Sequence, residues 1–185
     1  MGWLLPVGTP GGINSGFEDM PAGSGLVRRG GQLLCLDRGA YRLWRAAAAA
    51  LQSDELLSWG SDLGITDVGG RLGELKEAGL LIEETSDVHA VVGRLAVRLV
   101  GECLGNGTEI RPDFLVLGRN NTQLRLDAFL FEILLRSDGV TPVAAICRQL
   151  DELRQPGQRP SIETLTAGLP ALVRNEVVQL DGVAA

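Results

Sequence analysis

The chain has one histidine, three cysteines and one lysine, and only 4% of its residues are aromatic. Each scarcity excludes something. A Ser-His-Asp or Cys-His arrangement would have to use His89, which sits between Val88 and Ala90 with no nucleophile beside it. Catalysis by such a triad or dyad is therefore not expected, and the chain reads as a non-enzyme. Cys35, Cys103 and Cys147 are odd in number, far apart and without C-x-x-C spacing. Neither a disulfide framework nor a zinc site follows, and the three thiols read as small buried hydrophobes. No His, Cys or carboxylate cluster has ligand spacing, so no metal and no other cofactor is expected.

Long apolar runs are missing too. No stretch of 18 apolar residues exists, so no membrane-spanning helix is expected. Trp3-Leu4-Leu5 stops at Pro6 with no basic region before it, which does not read as a signal peptide. The expectation is a cytoplasmic protein. Lys76 is the sole lysine among 17 basic residues. That bias reads as codon usage rather than as an adaptation to phosphate.

What is present is ordinary for a globular chain of 185 residues: 45% apolar, 22% charged. The net charge is −6, and splitting the chain after Leu95 gives −4 and −2, so neither half is a basic domain. Proteins that live on DNA usually carry a basic footprint, and this composition lacks one.

The chain repeats itself. Leu34-Cys35-Leu36-Asp37 matches Leu124-Arg125-Leu126-Asp127 at an offset of 90, which also lays Tyr41, Leu43 and Trp44 on Phe131, Ile133 and Leu134. Further on, Leu72, Leu75 and Leu80-Leu81 fall on Leu169, Leu172 and Val177-Val178 at an offset of 97. The seven extra residues are assigned to the polar, Pro-rich loop from Arg154 to Pro160. At the start, Leu4 to Gly8 is set against Leu99 to Cys103, each followed by a glycine-rich turn.

Each copy reads as short strands, three helices and a closing strand. In copy one, Asp37 caps a helix from Arg38 to Leu51 with Tyr41, Trp44, Ala48 and Leu51 as its buried stripe. A second helix follows over Asp54 to Leu63. A third, capped by Thr66 or Asp67, carries Val68, Leu72 and Leu75 and stops at Gly79. In copy two, Asp127 caps the first helix, and Thr141-Pro142 starts the second, which buries Val143, Ile146, Leu150 and Leu153. Pro170 lies inside the third, which is expected to kink there or begin late. Residues 87–97 fit a helix or a strand equally well. The expected organisation is a first repeat over 1–86, a connecting segment over 87–97 and a second repeat over 98–185.

This α+β plan, tandem units of short strands, three helices and a closing strand, resembles the winged-helix class. Within it, Leu126-Asp127, Phe131, Ile133-Leu134, Asp138-Gly139-Val140-Thr141 and the segment Leu172 to Leu180 resemble the PqqD-type peptide-recognition domains. The resemblance covers most of copy two. In copy one, Ala46 to Ala50 and Ser53-Asp54-Glu55 stand in place of the Asp-Gly-Val-Thr turn. The resemblance implies binding of a peptide along a strand edge, alongside enzymes that modify that peptide.

The glycine-rich stretches Gly8 to Gly12 and Gly105-Asn106-Gly107 lack a following Gly-Lys-Ser/Thr and a helix, so they read as turns rather than phosphate cradles. Acid pairs such as Asp54-Glu55 and Asp151-Glu152 are adjacent in sequence and read as solvated surface. The strongest polar feature is a stripe of Arg38, Arg42 and Arg45 on one helix face. The stripe reads either as the solvated face of an amphipathic helix or, with Arg71 and Lys76 of the third helix, as the candidate partner-binding set, facing phosphates or an acidic partner surface. The alternative to peptide or protein binding is a DNA-binding regulator of winged-helix type, with each third helix in the major groove. Asp67, Glu74 and Glu77 beside Arg71 and Lys76, and Glu163 and Glu176 beside Arg174, weigh against it.

Overall fold

A computed structural model describes residues 2–13, 21, 23–49, 52–105, 107 and 114–183. The fold is α+β, and the chain divides into two compact units, one ending at Ser86 and the other spanning Asp87–Val183. Among the described residues no helix is long and apolar enough to cross a membrane.

In the first unit, β1 (Leu4–Pro6) pairs antiparallel with β5 (Leu81–Glu83). Three further strands, β2 (Thr9–Ile13), β3 (Gly25–Arg29) and β4 (Gln32–Leu36), form an antiparallel sheet in that order. Then come α1 (Arg38–Ala46), a 3-10 turn over Ala47–Ala49, α2 (Ser53–Asp62) and α3 (Val68–Glu77). The Asp37 carboxylate accepts from the Gly39 and Ala40 amides at 2.7 and 3.0 Å, which satisfies two free donors and starts α1. Helical spacing then turns Ala40, Tyr41, Leu43 and Trp44 inward, where they meet Leu56, Leu72 and Leu75 of the next two helices. The Trp44 indole N–H donates to the Val7 carbonyl at 3.1 Å, so burial leaves no donor unpaired.

The second unit opens with α4 (Val88–Gly93) and β6 (Leu95–Leu99). A sheet of β7 (Glu102–Gly105), β8 (Phe114–Leu117) and β9 (Gln123–Leu126) follows in that order. Next come α5 (Ala128–Arg136), β10 (Asp138–Pro142), α6 (Val143–Asp151), α7 (Ser161–Arg174) and β11 (Val178–Gly182). Strand β6 lies between β10 and β11. Residues 87–97, read from sequence as a connecting segment that was helix or strand, are both in turn: α4 and the first part of β6.

The two units match in detail. Asp127 caps α5 by accepting from Phe129 and Leu130 amides at 2.9 and 3.0 Å, as Asp37 does for α1. The first and third helices bury the same positions: Tyr41, Trp44, Leu72 and Leu75 in one, Phe131, Leu134, Leu169 and Leu172 in the other. Both outer sheets carry a bulge one residue before a positive-φ glycine, Gly12 at 112° and Gly105 at 144°. Where β10 pairs with β6, the first unit keeps a single bridge between Trp3 and Gln52. The outer sheet differs at one packing position. A side chain on Gly25 would run into the Tyr41 ring, whereas Phe114 packs against Phe131 with centroids 5.5 Å apart.

Several expectations are corrected. The start of the repeat is offset by 93, not 95: Val7 N–H bonds the Leu80 carbonyl and Val100 N–H the Val177 carbonyl, both at 2.8 Å, so Val7 and Val100 are the equivalent pair. The segment Thr9–Ile13 is a bulged strand rather than a turn, because Gly12 absorbs the bulge conformation; Asn106 lies outside the described residues. Helix α1 ends at Ala46 and tightens into the 3-10 turn, which buries Ala47 and leaves Ala48 half-buried; Leu51 lies outside the described residues. Pro142 precedes α6 as its cap, with β10 running up to it. Leu153 lies past the end of α6 and is 70% exposed. Helix α7 is continuous over its 14 residues and starts before Pro170 rather than after it. Packing against α4, α5 and α6 holds α7 against the one missing backbone donor. Of the cysteines, Cys147 is buried, Cys103 half-buried and Cys35 exposed on β4, since β4 turns alternate residues outward.

Candidate functional site

The five predicted partner-binding residues separate into two groups. Arg38 and Arg45 are exposed and Arg42 is half-buried on α1, and among the described residues none of the three has an ion-pair partner. The two on α3 are committed within the chain. The Arg71 guanidinium pairs with the Asp37 carboxylate and donates from Nε to the Thr66 carbonyl at 2.9 Å. This pairing holds the Asp37 carboxyl below its ordinary pKa and pushes the Arg71 pKa upward. Lys76 Nζ lies 2.7 Å from Glu83 Oε2, and Ser53 Oγ donates to the other oxygen of that carboxylate. The Glu83 carboxyl is lowered chiefly by the Lys76 hydrogen bond and then by the one from Ser53. Arg71 and Lys76 thus tie α3 to the start of α1 and to β5.

His89 is exposed on α4, with Nδ1 3.2 Å from Thr166 Oγ1. The Cys147 thiol is pushed up to about 11 by burial, which keeps it protonated and unreactive at neutral pH.

The feature that sequence reasoning missed lies in the second unit. A cleft of roughly 490 Å³ opens where β9 ends, between the start of α5 and the exposed side of α7. Asp127, Phe129 and Leu130 line one wall, Thr164, Ala167 and Gly168 the other, and Arg154, Gln158 and Arg159 close one end. Arg154 fixes that end. Its guanidinium lies 3.8 Å above the Phe129 ring centroid, a cation–π contact. Nε reaches Ser161 Oγ at 2.9 Å and Asp151 Oδ1 at 3.2 Å, and Nη1 donates to the Arg159 carbonyl. Asp151 Oδ1 also accepts from the Ser161 amide at 2.8 Å and so caps α7. Arg159 in turn faces Glu163 at 3.3 Å.

The first unit has the same place filled. The offsets of 90 and 97 set Gly39 on Phe129, Ala40 on Leu130, Asp37 on Asp127 and Arg71 on Gly168. Arg71 occupies the room that the small Gly39 and Ala40 leave, and its guanidinium carbon would be 3.2 Å from a Cβ placed on Gly39. In the second unit the larger Phe129 and Leu130 supply apolar wall, and Gly168 lets Leu130 approach so closely that a Cβ would sit 2.8 Å from its Cδ2. The substitutions were visible once the copies were aligned at their two offsets; the closure by Arg71 was not.

Beside the cleft, among the described residues, β9 pairs on one side with β8, and β4 likewise with β3. An edge strand presents a row of unpaired backbone N–H and C=O groups to another chain.

No protein-family model matches the chain, and neither the curated proteins nor the solved structures contain a significant match to it. What the structure establishes is the α+β class.

Proposed function

We propose that this is a non-enzymatic, cytoplasmic peptide- or protein-binding protein built of two winged-helix-like units, accessory to a peptide-modifying or regulatory system. The observation that carries the reading is the edge of β9, which among the described residues has a strand on one side only, running into an apolar-walled cleft between α5 and α7. Strand addition at such an edge gives affinity through backbone hydrogen bonds, and an adjoining pocket gives side-chain specificity. The resemblance of the second unit to PqqD-type peptide-recognition domains points the same way. The alternative, a DNA-binding regulator, loses support from the pairing of Arg71 with Asp37 and of Lys76 with Glu83. These two cations would have to leave carboxylate partners to meet phosphates.

The test is selection of a random peptide display library on the full chain, followed by hydrogen exchange of the complex. The expected result is enrichment of extended peptides that protect the amides of Gln123–Leu126. Enrichment of nothing above background, or protection confined to other segments, would remove the reading.

A further inference from the structure

We propose that the second unit's cleft takes an arginine side chain of the bound peptide, its guanidinium paired with Asp127, and that the first unit's cleft is closed to ligands by Arg71. The inference rests on the peptide-binding reading above and names the residue that the cleft selects.

The argument is an internal comparison. Asp37 and Asp127 cap equivalent helices with the same two backbone contacts. The capping bonds use Oδ1 of each carboxylate; Oδ2 of Asp37 faces Arg71, and Asp127 lines the cleft at the equivalent place. In the first unit, Arg71 fills that place and bonds Asp37 Oδ2. In the second, the residue at that position is Gly168, and among the described residues no cation pairs with Asp127. The cleft therefore retains the carboxylate and lacks the guanidinium.

The two arginines at its closed end do not substitute. Arg154 is bonded to Ser161, Asp151 and the Arg159 carbonyl, with only 8% of its side chain exposed, and Arg159 faces Glu163. Each carries its own countercharge, which leaves Asp127 as the unmatched charge of the lining. Phe129, Leu130 and Ala167 would flank the aliphatic stem of an incoming arginine, as long cationic side chains lay their methylenes on apolar surface. A planar guanidinium suits a carboxylate better than an ammonium does, so arginine is expected ahead of lysine.

The test uses the full chain and two probes, Nα-acetyl-arginine methylamide and its uncharged citrulline counterpart, followed by amide chemical shifts. The arginine probe should shift Phe129, Leu130, Ala167 and Gly168 with half-saturation on the order of 1 mM, and the citrulline probe should not. Asp127→Asn keeps a capping oxygen and should weaken the arginine response at least tenfold. Arg71→Ala should create a second, equivalent response at Gly39 and Ala40. No saturable shift at the second unit's amides, or equal shifts from both probes, overturns the inference. The library experiment separates this failure from that of the wider reading. Peptides that bind well without arginine, and equally well to Asp127→Asn, overturn the cation site and keep peptide binding. A library that enriches nothing, while the arginine probe still shifts these amides, keeps the cation site and removes peptide binding.

Discussion

Trp44 ties α1 to the start of the first unit: it is 3% exposed, stacks on Tyr41 with centroids 5.8 Å apart and bonds the Val7 carbonyl. Trp44→Ala should cost about 3–5 kcal/mol from lost transfer energy, a residual cavity and an orphaned acceptor. A denaturant titration reads this as a lower midpoint at unchanged slope. Single residues also set the acid response. The Asp138 carboxylate accepts from the Val140 and Thr141 amides and the Thr141 hydroxyl, and these bonds lower its pKa to about 2. A folded-state pKa below the unfolded value, about 3.9, means stability that is whole above pH 4 and is lost as the pH falls towards 2. Asp138→Asn should flatten the decline of melting temperature between pH 4 and pH 2, and an unchanged slope would mean that the turn contributes nothing there. At this scale the sequence was legible wherever a residue's role follows from its neighbours. Both helix caps are where the sequence puts them, and Tyr41, Trp44, Leu72 and Leu75, with Phe131, Leu134, Leu169 and Leu172, are buried as helical spacing requires, whereas Ala48 is only half-buried. The Arg71–Asp37 pair was not legible, because it joins residues 34 apart whose meeting depends on helix packing.

Elements were legible in type and order and less so at their ends. Helix α7 illustrates why: Pro170 is a local breaker, but α7 packs on three helices, and tertiary contact outweighs one lost hydrogen bond. The start of the repeat was misplaced by two residues because Leu, Val and Gly recur too often there to fix a register, whereas the pairing of β1 with β5 and β6 with β11 fixes it. The third helices end alike, with Gly79 at φ 66° and Glu176 at φ 53°. A left-handed residue that carries a Cβ is strained by roughly 1–2 kcal/mol, while glycine is not. Glu176→Gly should therefore stabilise the second unit by about 0.5–1 kcal/mol, after the entropy glycine adds to the unfolded chain. Gly79→Ala should destabilise the first by about 1–2 kcal/mol, with the Arg29 guanidinium 2.7 Å from the new Cβ adding to the strain. Thermal unfolding of the two variants should shift in opposite directions, and shifts of the same sign would refute the equivalence of these two stops.

At the scale of the molecule, the two units share a plan and differ in what they leave open. The first pairs its α3 cations with its own carboxylates, and the second keeps a cleft beside β9, the last strand of its sheet among the described residues. The repeat was legible in sequence as matched spacing. The structural asymmetry lay at positions where the copies disagree, Gly39 against Phe129 and Arg71 against Gly168. A net charge of −6 adds a field that repels nucleic acid. Arg38, Arg42 and Arg45 remain as the basic feature without an ion-pair partner among the described residues, and replacing all three by Ala should abolish any weak duplex binding that appears at low salt. The most direct measurement is one anisotropy titration of the full chain against labelled duplex DNA at about 150 mM salt, the physiological ionic strength. The account predicts binding no tighter than the nonspecific range, roughly 10⁻⁴–10⁻⁶ M, and nanomolar, sequence-selective binding would contradict it.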